Sequence, residues 1–463
     1  MINSIAKTIN YARRNGIANT YYAVRERLEN QKEPYSFIPA SEEELARQRL
    51  FEEESRYSYA LPSFSLLVPL YKTAPVYLRA MIDSCLAQTY SRFNLILADA
   101  TPDNSLLEII KAEYAGDDRI IYKHLDTNGG ISVNTLEALK LAGGDYCCLL
   151  DHDDLLTPNA LYEMAAVIAE ATAREGKTRP SDCSLRLIYS DEDKCDGTGT
   201  VFYEPNIKPD FNLDYLLSNN YICHFTAIRR DLLLGNPPRM EYDGAQDYDM
   251  ILRICLPAAL HGKAHEIVHI PKVLYHWRCH DASTAANPSS KSYAYDAGLR
   301  SLTDNLKDAG IEALVTNLPH LGFYKVSYPE GIFRARADVG IVGGRLIDSK
   351  GRICGGYYNK DKSTQFLGLN AHYSGGFQHR AACRQDAYAV DLRCMRVRRE
   401  LRPLLKEITG LDYHAPKKSG SERIIIPDQW DDAKIKDESI RFCKEAGVLG
   451  WRIVWTPDMT VRI

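Results

Sequence analysis

The sequence lacks any Cys-x-x-Cys pair, any apolar run near the ~20 residues of a membrane-crossing helix, and any dominance of one charge. Of the 12 cysteines only Cys147 and Cys148 are adjacent; the rest are scattered, several inside apolar runs (Cys85, Cys223, Cys255). That spacing argues against a zinc site and reads as the reduced, buried thiols of a cytosolic protein. Lys and Arg number 57 against 61 Asp and Glu, a net charge of −4, which removes the electrostatic case for nucleic acid. The amino terminus has no apolar signal core. What remains is ordinary globular composition, 463 residues with 45% hydrophobic and 25% charged, enough for two or three domains. The 29 tyrosines fit a sugar-handling surface and equally a plain core.

Residues 1–60 read as a helical extension. Its first helix carries Arg13, Arg14, Arg25 and Arg27, which would either decorate a packed appendage or touch an anionic membrane face. Ser41 in "SEEELARQRL" is a capping candidate for a second helix. From Phe64 the pattern changes to alternation: strands "FSLLVPL", "FNLILADA", "RIIYKHL" and "DYCCLLD", with helices "YLRAMIDSCLAQ", "SLLEIIKAEYA" and "ISVNTLEALKLA" between them. Strand–helix alternation predicts an α/β fold with a mostly parallel sheet and helices on both faces. Ligands of such sheets sit beyond the carboxyl ends of the strands.

Three of those ends are distinctive: Pro69 and Tyr71, then Asp99, then the cluster Asp151-His152-Asp153-Asp154. Like charges this close repel and raise one another's pKa unless a cation lies among them. A turn needs one such residue, not three. Asp154 doubles as a capping candidate for the helix that starts in "LLTPNALYEMAAVIAEA".

Together "VPLYK", "LADATPD" and "DHDDLLTP" resemble the nucleotide-binding half of glycosyltransferase family 2, with its GT-A fold, over roughly residues 64–300. The resemblance implies that Pro69, Tyr71, Asp99, Asp151 and Asp153 bind the donor. Asp99 would meet the nucleobase, Asp151 the ribose side, and Asp153 a divalent metal bridging the diphosphate. Ala98 stands where the family has a further Asp. Mn²⁺ or Mg²⁺ suits the chemistry, since a hard ion takes carboxylate and phosphate oxygens together.

Downstream, "QDYD" stands where the family carries an acidic motif, so Asp247 matches the catalytic base of an inverting transfer. Asp249, two residues on, is expected to be structural, paired with Arg253 at helical spacing. In "LYHWR" the resemblance puts His276 in the metal shell, with His280 as competitor, and Arg278 on diphosphate oxygens. Asp191 and Glu192 would border the acceptor cleft.

The expected ranges are 61–330 for the GT-A domain, split at 155 into donor and acceptor halves, and 331–463 for a degenerate half GT-A domain. "LIYSDEDKCDGTG", "AIRRDLL", "DMILRIC" and "IVHIPKVLYH" are echoed by "VGGRLIDSKGRICGG", "RVRREL", "ESIRFC" and "IVWTPDMTVR". The helix echo places Ile435 opposite Asp247 and the strand echo places Arg462 opposite His276, so the second copy would have lost the chemistry. Its use, whether packing, dimerisation or acceptor binding, is left open.

The expected activity is transfer of a sugar from a UDP- or dTDP-sugar to a glycan or lipid-linked glycan of a bacterial surface polysaccharide. It would take place in the cytoplasm, with a peripheral contact at the inner membrane face and self-association both open. The alternatives are a carbohydrate- or nucleotide-sugar-binding scaffold without turnover, or a nucleotidyltransferase. The latter would carry a Gly-rich basic loop after its first strand, and "VPLYKTAP" has none.

Overall fold

The computed structural model describes residues 2–30, 35–54, 60–280, 292–372, 375, 378–414 and 423–463. Packing divides the chain into two units. One comprises Tyr35–Phe211 and Asn220–Asn305; the other comprises Met1–Pro34, Asn212–Asn219 and Leu306–Ile463. The division falls near residue 305, where the sequence led us to expect 330, and it groups the first 34 residues with the C-terminal part.

The first unit is built on β1 (Phe64–Leu70), β2 (Phe93–Asp99), β3 (Ile120–His124), β4 (Tyr146–Leu149), β5 (Leu155–Leu156), β6 (Leu187–Cys195), β7 (Phe202–Asn206), β8 (Thr226–Arg229) and β9 (Ile267–Arg278). Their order is β3-β2-β1-β4-β8-β6-β9-β5, with β7 on β6. The strands β3, β2, β1 and β4 run parallel. β8 is antiparallel to β4 and β6, and β9 returns parallel to β6. This α/β, mostly parallel mixed sheet is what the strand–helix alternation led us to expect, and it agrees with the GT-A fold that the family resemblance implied. The central strands are buried on both faces, so they read as unbroken apolar runs: Leu66, Leu67, Val68, Leu95, Ile96 and Leu97 are all inaccessible. Ser41 caps the helix Glu42–Arg49 by accepting from the Glu44 N–H, as its position suggested.

The second unit carries a five-stranded sheet of Val339–Ile347, Ile353–Gly355, Gln385–Asp386, Met395–Val397 and Arg452–Arg462. Val339–Ile347 pairs antiparallel with Met395–Val397 and parallel with Arg452–Arg462, as β6 pairs with β8 and β9. In both units a helix precedes the returning strand, Gln246–Leu260 in one and Asp432–Val448 in the other. Both parallel ladders also skip at a proline. Pairing jumps from Ile270 to Val273 around Pro271, and from Trp455 to Thr460 around Pro457. Proline has no N–H to give to a ladder. Part of the loop "APKKSGSERIIIPDQW", residues 415–422, lies outside the described residues.

The first helix, Ile2–Asn30, breaks at Gly16, whose φ is 79°. Arg13 and Arg25 are exposed on it, and the side chains of Arg14 and Arg27 lie outside those described. No helix among the described residues is long and apolar enough to cross a membrane.

Candidate active site

At the carboxyl ends of β1, β3 and β4 lies a cleft of about 550 Å³. The end of β1 lines it with Pro69, Tyr71 and Lys72, the helix Pro75–Leu86 with Tyr77, the "TNGG" turn with Asn128 and Gly130, and the segment after β4 with Asp151, His152 and Asp153. Trp277 and His280 close it from β9 and just beyond. Gly130 has φ +88°, and a Cβ there would sit 2.5 Å from Asp243 Oδ2. Only glycine lets this helix start come so close to the carboxylate that receives the Ser132 N–H.

The structure sorts the acidic cluster. Asp154 is fully enclosed; it accepts the Arg278 N–H at 2.7 Å and the Tyr275 hydroxyl, stitching the segment to β9. It is a cross-strand clamp, not the helix cap. Asp153 faces the cleft with Oδ2 2.8 Å from His280 Nε2, and Oδ1 lies 3.9 Å from His152 Nδ1. Asp151 keeps 46% of its side chain exposed, and its Oδ2 is 4.0 Å from His224 Nε2. The cleft walls withdraw it only partly from water, which pushes its carboxyl up; His224 opposes this, and Asp153 and Asp247 add to it. Part of the positive charge that the cluster called for is therefore within reach of the chain itself, in the raised imidazole of His224.

Other expected residues fall elsewhere. His276 is not at the cleft: it is buried between Phe37 and Phe202, its Nδ1 2.5 Å from Asp193 Oδ1. In the β6–β9 register Asp193 is its direct neighbour, which is why it turns inward. His280, just past the strand, is the imidazole that reaches Asp153. Arg278 is 2% exposed; its Nε donates to the Asp153 carbonyl and its Nη1 to the Gly197 carbonyl, and among the described residues Nη2 has no hydrogen-bond partner. It braces the loop under the cleft more than it lines it. Asp99 is buried, accepting from the Thr101 N–H and the Tyr122 hydroxyl, each at 2.8 Å.

Asp191 and Glu192 do not form an exposed acceptor wall. Asp191 takes the Lys208 N–H and His269 Nε2. Glu192 takes Asn206 Nδ2 and His224 Nδ1. Register shifts in β6 at these two residues turn both inward.

Asp247 opens the helix Gln246–Leu260, and its Oδ2 accepts from Asn220 Nδ2 at 2.8 Å and Cys223 Sγ at 3.1 Å. Asp249 is inaccessible. It is ringed by Arg239, Arg253, Ser301 and Asn305, with Arg253 four residues along the helix at 2.8 Å. These donors hold its carboxyl below the usual range despite burial. The structural role expected for it is what the geometry shows.

A divalent ion can be tested against these groups. Among the described residues no three His, Cys, Asp or Glu side chains are gathered as a metal cage. Asp153 flanked by His280, with His152 Nδ1 buried and unpartnered beside it, does fit an ion held by one carboxylate and completed by substrate phosphates. His276 does not fit.

The sequence reading gave His152 a place in the strand-end cluster but no role, and it missed Lys72, Tyr77, Asn128, Asn220, Cys223 and His224. The "TNGG" turn follows a strand end, so the rule that found Asp99 could have found Asn128 and Gly130. Nothing local marks His224 within "YICHFTAI".

The sequence profile described as Glycosyl transferase family 2 matches residues 65–234. The chain is 37% identical over 247 residues to an uncharacterized protein, y4gI, of Sinorhizobium fredii, covering 53% of this chain and 25% of that protein. It is 31% identical over 271 residues to the O-antigen biosynthesis protein RfbC of Myxococcus xanthus, covering 58% and 20%. This chain thus spans a quarter or less of the length of these two relatives. A PGL/p-HBAD biosynthesis glycosyltransferase of Mycobacterium tuberculosis is 32% identical over 217 residues, covering 45% of this chain and 76% of that enzyme. Among solved structures, S. aureus TarS 1-349 in complex with UDP-GlcNAc aligns with a TM-score of 0.41 at 19% identity, over 54% of this chain and 68% of that one. With the profile spanning β1 to the β8 region and a relative matched over most of its length, the chain belongs to glycosyltransferase family 2.

Proposed function

We propose that this glycosyltransferase moves a sugar from a nucleoside diphosphate donor, a UDP- or dTDP-sugar, to a glycan or lipid-linked glycan acceptor in surface-polysaccharide synthesis. The observation that carries the reading is the cleft itself. The ends of β1 and β4 line it with Pro69, Tyr71, Asp151 and Asp153, and Asp247 of the acceptor half is tethered to the same wall through Cys223 and His224. The O-antigen relative supports the choice of product class.

The nucleotide would lie against Pro69, Tyr71 and Asp151. Asp153 and His280 would hold a Mn²⁺ or Mg²⁺ ion, which supplies charge neutralisation for the departing diphosphate. Asp247 takes the proton of the acceptor hydroxyl. The oxygen's electron pair forms the new bond to the anomeric carbon from the face opposite the diphosphate, and the pair of the breaking C–O bond leaves with the diphosphate. The product is inverted. Residues 331–463 would form the half domain without a donor site.

The test is a binding screen of UDP- and dTDP-sugars with Mn²⁺, Mg²⁺ or EDTA, in wild type and Asp153→Ala. Donor binding that rises with either metal and loses that rise in Asp153→Ala supports the reading. Affinity indifferent to EDTA removes the metal from it.

A further inference from the structure

We infer that Asn220, Cys223 and His224 form a positioning chain for Asp247, kept in register by Glu192; the inference rests on the reading of Asp247 as the base. Asn220 Nδ2 and Cys223 Sγ both donate to one oxygen, Oδ2, at 2.8 and 3.1 Å. Among the described residues, the structure gives Oδ1 no partner. A carboxylate held by one oxygen has one orientation, and its other oxygen is open to take a proton.

The chain continues inward. Cys223 Sγ lies 3.2 Å from His224 Nε2, and His224 Nδ1 lies 3.1 Å from Glu192 Oε2. The ring is stacked on Tyr275, centroids 4.7 Å apart and 7° from parallel. Lys208 Nζ, wholly buried, donates to the carbonyls of Ile222 and His224 and lies 3.5 Å from Glu192 Oε2. The charged or titratable groups facing His224 are therefore Glu192, Lys208, Cys223, Asp151 and Tyr275, with Asp154 behind Tyr275.

Proton counting makes this chain directional. Burial pushes the Cys223 thiol up to about 12, so it carries one hydrogen and can donate once. Burial opposes charge on Glu192, but Lys208 and His224 bring it down to about 2, so it is a carboxylate that needs the Nδ1 hydrogen. If His224 is neutral, its Nε2 is a lone pair and competes with Asp247 for the thiol hydrogen. If His224 is an imidazolium, Nε2 presents its own hydrogen to the sulfur, and the thiol can donate only to Asp247. Burial works against the imidazolium, yet Cys223 and Glu192 raise His224 well above its ordinary value. Glu192 thus acts on Asp247 through two intermediaries.

The charge state can be read directly. In the full chain labelled with ¹⁵N-histidine, at pH 7.5, both His224 ring nitrogens should be protonated, and Glu192→Gln should make the ring neutral. A neutral His224 in the unsubstituted protein overturns the inference whatever the activity. Kinetics give a second reading, using the nucleotide sugar that the binding screen selects and following release of the nucleoside diphosphate. Cys223→Ala should lower kcat about 10- to 100-fold, as for a lost hydrogen bond to a charged group. Affinity for UDP should be unchanged, and Cys223→Ser, which still donates, should restore most of the rate. Glu192→Gln should move the alkaline fall of kcat to lower pH. If Asp247→Asn is inactive but Cys223→Ala and Glu192→Gln turn over normally, the positioning chain is wrong and the base stands. If Asp247→Asn itself turns over normally, the base reading fails and takes this inference with it.

Discussion

The two units repeat one supersecondary plan and differ in the helix that leads into the returning strand. A strand pairs with an antiparallel and a parallel neighbour, a helix leads into the returning strand, and a proline interrupts the ladder. In the first unit the helix Gln246–Leu260 opens with Asp247, half-exposed and held by Asn220 and Cys223. In the second, the helix Asp432–Val448 places Ile435 in the core, 6% exposed, with Leu401, Leu405 and Trp455 in the same apolar cluster. The pattern needs apolar side chains at helical spacing and says nothing about the polar exception. On the reading proposed for Asp247, the same architecture stands with or without the acid, because the packing needs only the apolar positions.

Asp247→Asn breaks the comparison most sharply. It makes the working unit resemble the other while keeping side-chain size, and turnover should fall about 10²- to 10⁴-fold with donor affinity nearly intact. Steady-state kinetics at saturating acceptor decide it; normal turnover would move the role elsewhere. The reciprocal change, Ile435→Asp, should create no activity. It should cost on the order of 3–5 kcal/mol in urea unfolding, from lost packing and a buried carboxyl. A stable Ile435→Asp protein would show that the position is not core.

Asp249→Asn sharpens the contrast within one helix. The residue sits two positions from Asp247 but has no exposure and two arginines on its oxygens. Neutralising it leaves both guanidiniums short of their counter-charge, and about 3 kcal/mol of stability should go, with turnover per folded molecule unchanged. A rate loss at full stability would contradict the assignment.

Sequence reached far along this contrast because its strongest signals are local. Strand ends mark a ligand site, so Pro69, Tyr71, Asp151 and Asp153 were legible, and the spacing of Asp249 and Arg253 told of their pairing. Asp191, Glu192 and His276 were not, because the direction of each depends on the β6–β9 register and its skips, which no short segment encodes. His280 obeys the strand-end rule better than His276, since it lies just past Arg278. His224 was invisible for a related reason: its partners Glu192 and Asp151 are 32 and 73 residues away in the chain, and only the folded sheet brings them together.

The smallest effect separates the units by acidity. In the C-terminal unit His320 and His379 stack with centroids 3.6 Å apart. Burial lowers His320 to about 4; burial and the His320 charge lower His379 to about 3. A base whose folded pKa is depressed stabilises the fold above its unfolded value near 6.5, and that contribution drains away as pH falls toward the folded one. Asp386, raised to about 6 by burial, works in the other direction between pH 6 and 4. Two histidines against one carboxyl leave a net loss of up to about 1.4 kcal/mol per pH unit in that window. In the first unit Glu192, lowered to about 2, loses its contribution only below its ordinary 4.5, and a raised His224 is stabilising on the acid side. Three of the four tryptophans, Trp430, Trp451 and Trp455, belong to the C-terminal unit. Lowering the pH from 7 to 5 should therefore lower the urea midpoint read by tryptophan fluorescence more than the midpoint read by loss of UDP binding. His379→Gln should shrink the gap. Coincident midpoints at both pH values would show that the buried histidine pair does not set the acid sensitivity of its unit.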